Sequence, residues 1–80
     1  MNTVKRLQNE RKFKKWEELP NGGRRYYYTV QGRVAGSAIY IKIVSAEEET
    51  VFFGQEIYDA FGNLIETHEK FPNDSGHKKV

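Results

Sequence analysis

The chain has 80 residues, a net charge of +2, 30% charged and 14% aromatic residues and a mean hydropathy of −0.79; folding a chain this short buries roughly 60–65% of its unfolded surface, so one domain over residues 1–80 is expected. The absence of cysteine excludes disulfides, thiolate zinc sites and a cysteine nucleophile. The longest apolar run, AIYIKIV, is interrupted by Lys42 and falls well short of the ~20 residues of a membrane helix, so no membrane partner is expected.

The segment MNTVKRLQNERKFKK is basic without an apolar stretch, which argues against a secretion signal and for a cytoplasmic protein. Residues 1–10 read as a short helix or a tail. Val4, Leu7, Phe13, Trp16 and Leu19 do not share one face at 100° per residue, which disfavours one long helix. A strand is expected from about residue 12. LPNGGRR is a turn, with Asn21-Gly22 suited to a type I′ hairpin. RRYYYTVQ, SAIYIKIVS, TVFFGQEIYD and LIETHEKF are rich in β-branched and aromatic residues and read as strands, separated by GRVAG, AEEE and AFGN. Residues 72–80 read as an irregular tail. The fold expected is mainly β or α+β: an antiparallel meander of about five strands over residues 12–71, curved or barrel-like.

Three-residue turns suggest a register. Asp59 opposite Asn63 leads on to Glu56 opposite Glu66 and Gly54 opposite His68. Ile43 beside Phe53 collects Ile39, Ile41, Ile43, Phe53, Ile57 and Ile65 on one face as a core, and a slip of one residue would scatter them. The other face then carries Tyr40, Lys42, Glu56, Glu66 and His68 around Gly54. These are residue types that serve as general base, general acid and anion contact, and they are the catalytic candidates of an enzyme reading. Ion pairing by Lys42 explains the same cluster without chemistry. His68 and His77 lie nine apart with Asp74 between them, but His77 falls in the tail, so neither metal nor cofactor is expected.

Charge is uneven along the chain. Residues 1–25 hold eight basic side chains against three glutamates, a net +5, and residues 26–80 hold five against eight, a net −3. Lys12, Lys14, Lys15, Arg24, Arg25 and Tyr27 are the candidates for contacting RNA or an acidic protein, because basic groups meet phosphate and aromatic rings stack on bases. Alternate tyrosines filling the core, with Arg24 and Arg25 in water, is the plainer account of RRYYY. Exposed edges and aromatics also suggest a homodimer.

WEELPNGGRRY (16–26) and QEIYDAFGNLIETHEKFPNDSGH (55–77), nearly half the chain, resemble a family of small prokaryotic proteins of unknown function, which implies no activity. YDAFGNLI also resembles one unit of the tyrosine–aspartate repeats of large surface toxins. In size and charge alone the chain is similar to ribonuclease toxins of toxin–antitoxin pairs. A non-enzymatic binding module for RNA or an acidic partner is therefore the first expectation, with a small ribonuclease-like toxin and a structural partner subunit as alternatives.

Overall fold

The computed structural model describes residues 2–32, 36–74 and 76–80. A helix, α1 (Thr3–Lys12), precedes six strands: β1 (Lys15–Glu18), β2 (Arg24–Gln31), β3 (Gly36–Val44), β4 (Thr50–Asp59), β5 (Leu64–Phe71) and β6 (Gly76–Lys79). They form one antiparallel sheet in chain order, each strand pairing with its neighbours in sequence. The sheet is open, with β1 and β6 at its edges. The expected meander is thus present, and it gains a sixth strand where an irregular tail was read. GHKK lacks β-forming residues; it pairs because its backbone lies along β5, with His77 opposite His68 and Lys79 opposite Glu66. The break expected at GRVAG lies largely outside the described residues. Among those described, no helix is long and apolar enough to cross a membrane.

Asn2 caps α1, its side chain accepting from the Lys5 N–H at 3.1 Å, which satisfies one of the helix's orphan donors. Arg11 and Lys12 in the last turn complement the helix dipole. The residues that α1 turns to the sheet are Arg6, Asn9, Glu10 and Phe13, spaced i, i+3, i+4 and i+7. Three of these four are polar. Its apolar residues point away: Val4 and Leu7 are 67% and 50% exposed.

Three hairpin turns share one geometry. Leu19, Ser45 and Asp59 each donate an N–H to the carbonyl four residues on and accept from the N–H three residues on. The residue closing each loop is left-handed: Gly22 at φ 86°, Glu48 at 64° and Gly62 at 84°. The first turn is therefore not type I′, which needs positive φ at both central residues; Asn21 lacks it.

The register differs from expectation on both sides of β4. The loop between β3 and β4 is Ala46–Glu48, one residue earlier than read, and Val51 is then skipped, so Ile43 faces Phe52 and Ile39 faces Glu56. Between β4 and β5 the turn and the Tyr58–Leu64 pair are as expected, but Ile65 bulges out and Ile57 faces Glu66. A net slip of one residue exchanges the faces. Trp16, Arg24, Tyr26, Tyr28, Tyr40, Lys42, Val44, Phe53 and Ile57 fall on the helix side. Ile39, Ile41, Ile43 and Phe52 fall on the other. The isoleucine row is consequently not the core. Phe13, Tyr26 and Val44 are the buried apolar residues, with Tyr28, Tyr40 and Phe53 packed around them.

Candidate nucleic-acid interface

One buried carboxylate joins three side chains between the helix and the sheet. Glu48 is 2% exposed and accepts three hydrogen bonds, from Arg6 Nε at 3.0 Å, Asn9 Nδ2 at 2.9 Å and Tyr26 Oη at 2.9 Å. Burial pushes this carboxyl up, but the bonds from Asn9, Tyr26 and Arg6, with the Arg6 charge, outweigh it and hold the group below its ordinary value. Beside it Lys42 Nζ donates to Asn9 Oδ1 at 2.9 Å. Burial lowers the proton affinity of Lys42, the neighbouring Lys12 and Lys5 lower it further, and Glu48 only partly opposes them. Lys5, Arg6, Lys12 and Lys42 thus lie around this one buried carboxylate.

That group adjoins a row of rings crossing the sheet. Phe13 lies 5.3 Å from Tyr28, Tyr28 stacks on Tyr40 at 5.0 Å and 17°, and Tyr40 on Phe53 at 6.4 Å and 22°. Phe71, 44% exposed, pairs with Phe53 at the end of the row. Two lysines flank this end. Lys12 Nζ sits 5.9 Å from the Phe53 centroid. Lys70 Nζ lies 5.3 Å from Tyr40 and 5.6 Å from Phe53. Lys70 reaches the rings because β5 bulges between Glu69 and Phe71, where Gly54 faces Glu69 and Phe53 faces Phe71. The bulge turns two consecutive side chains, Lys70 and Phe71, to one face. Among the described residues, neither Lys12 nor Lys70 pairs with a carboxylate within 4 Å. A cavity of about 270 Å³ at the Lys12 side is lined by Lys12, Phe13, Lys42, Thr50, Phe53 and Phe71.

The basic first third is partly spent inside the fold. Arg24 is buried, with Nη1 2.6 Å from Glu10 and Nε 2.7 Å from Glu18, so it does not face water as expected. Arg25 pairs with Glu17 at 3.2 Å, and with Lys15 and Tyr27 it lies on the isoleucine side. Lys14 is exposed before β1. Of the six binding candidates, only Lys12 belongs to the aromatic row. Tyr28, Phe53, Lys70 and Phe71 were missed, because the bulge that joins them falls at an unremarkable E-K-F.

The catalytic candidates do not converge. Glu56 faces Thr67 rather than Glu66, is on the isoleucine side, and accepts from Tyr58 Oη at 3.0 Å. Tyr40, Lys42, Glu66 and His68 share the helix side but have separate partners. Tyr40 meets Gln55 at 3.3 Å. His68 Nε2 lies 2.7 Å from Asp74. His77 lies 3.8 Å from Glu66. The space over Gly54 is filled by the Phe52 ring, whose Cζ would lie 2.7 Å from a Cβ there. Among the described residues, no three His, Asp or Glu side chains are grouped to hold a metal ion. Comparison with protein-family models, curated proteins and solved structures finds no significant match.

Proposed function

We propose that this domain is a non-enzymatic binding module for single-stranded RNA, taken up on the helix side of the sheet. The observation that carries the reading is the ring row Tyr28–Tyr40–Phe53–Phe71 edged by Lys12 and Lys70. Rings supply sequence-tolerant stacking of about 1–3 kcal/mol per base, and flanking cations meet the phosphates. The grouping of Lys5 and Lys12 near Lys42 favours the same kind of ligand. An acidic protein would use the charge but has no need of the rings. The scattered catalytic candidates weigh against the enzyme reading.

Fluorescence anisotropy with a labelled oligouridylate tests this. Binding at low salt is expected, with log Kobs falling against log[salt] at a slope of about −2 for three lysines at ~0.7 each. Replacing Lys12 and Lys70 together by alanine is expected to shrink that slope by about 1.4. Phe53→Leu, which keeps an apolar side chain, is expected to weaken binding with little change in slope. Failure to retain the oligonucleotide at low salt, or an unchanged slope in the double-lysine variant, removes the RNA reading.

A further inference from the structure

The sheet's second face has no described element over it. Ile39, Ile41 and Ile43 project there from β3, and the Phe52 ring folds down over Gly54 beside them. Ile41, Ile43 and Phe52 floor a groove of about 560 Å³ whose rim includes Arg25, Glu56, Glu69 and Lys78. A sheet with an apolar face is stable when a second layer covers it. Among the described residues, the buried apolar ones, Phe13, Tyr26 and Val44, lie on the other side. We propose that the isoleucine face is the interface of a homodimer in which two copies close face to face.

The rim charges select the occupant. Lys78 opposes a basic partner and Glu56 an acidic one, while Arg25 is already paired with Glu17. A two-fold interface presents the same patch twice, so a patch with both signs meets its own complement. The aromatic row lies on the opposite face, and α1 docks there too. The association therefore needs neither RNA nor the lysines of the proposed RNA site, and either proposal can fail without the other.

Sedimentation velocity on the full chain at ~100 µM, a concentration at which even weak self-association registers, is the test. A species of twice the 9.4 kDa chain mass is expected. Ile41→Glu is expected to give monomer with an unchanged far-UV circular dichroism spectrum. Ile39→Thr keeps a β-branched residue in the strand and is expected to raise the dissociation constant at least tenfold, so the proposal stays testable if Ile41→Glu does not fold. A wild-type monomer overturns the proposal, as does a dimer that both folded variants leave intact.

Discussion

Glu48 carries two unfavourable features at once. Its backbone is left-handed at φ 64°, where the matching turns use Gly22 and Gly62, and a side chain there costs roughly 1–2 kcal/mol. Its charge is buried. Both are tolerated because its carboxylate accepts from Arg6, Asn9 and Tyr26, three groups that would otherwise be left unmatched between helix and sheet. Removing one partner of a buried charged network costs about 3 kcal/mol or more, a large share of the ~5–10 kcal/mol that stabilises a small domain. Glu48→Ala is therefore expected to lower the urea midpoint sharply. Glu48→Gly, which relieves the backbone, is expected to recover only part of the loss. The pH dependence follows from the depressed carboxyl. The Glu48 contribution is fully present above the unfolded value of 4.5 and disappears as pH falls through the lower folded value. Thermal denaturation below pH 4.5 is expected to show this decline, and Glu48→Gln, measured alongside, a shallower one.

Strands and turns are legible at the scale of elements because their chemistry is local. Gly62 in D-A-F-G-N marks its turn, and the Tyr, Val and Ile runs mark β2 and β3. Register is not local. The three residues that displace it, Val51, Ile65 and Lys70, are ordinary strand residues, and no glycine or proline stands at those positions to signal a bulge. The helix was half legible: a short helix was one of two readings for residues 1–10, but it runs on to Lys12, and its docking stripe of Arg6, Asn9 and Glu10 looks like a solvated face in sequence. Two expectations belong to this scale. Gly54→Ala places a methyl group 2.7 Å from Phe52 Cζ and 2.8 Å from the His68 carbonyl oxygen, so it is expected to destabilise by about 1–3 kcal/mol, read as a lowered urea midpoint. The edge strand β6 is tied by Asp74, whose carboxyl the adjacent His68 holds below its ordinary value, with help from the Gly76 N–H. Asp74→Asn is expected to speed amide hydrogen exchange in 76–79 while leaving β3 and β4 protected.

Across the whole molecule, the slip of one residue divides the chemistry between two faces. The aliphatic row, which looks like a core in sequence, becomes an outer surface. Tyr26, Tyr28, Tyr40 and Phe53 become the packed side, with Lys12, Lys42 and Lys70 at their margin. This division also separates Glu56 from Glu66 and so dissolves the cluster that the sequence suggested. Of the proposed RNA site, the idea of basic residues among aromatics was legible, and Lys12 with it. The particular rings were not, since they are gathered from β2, β3, β4 and β5. The most direct measurement is an NMR titration of the labelled chain with an oligouridylate at low salt. Shifts at Lys12, Tyr40, Phe53, Lys70 and Phe71, with Ile39, Ile41 and Ile43 unmoved, are expected. Shifts confined to the isoleucine face, or none, would contradict RNA binding on the aromatic row.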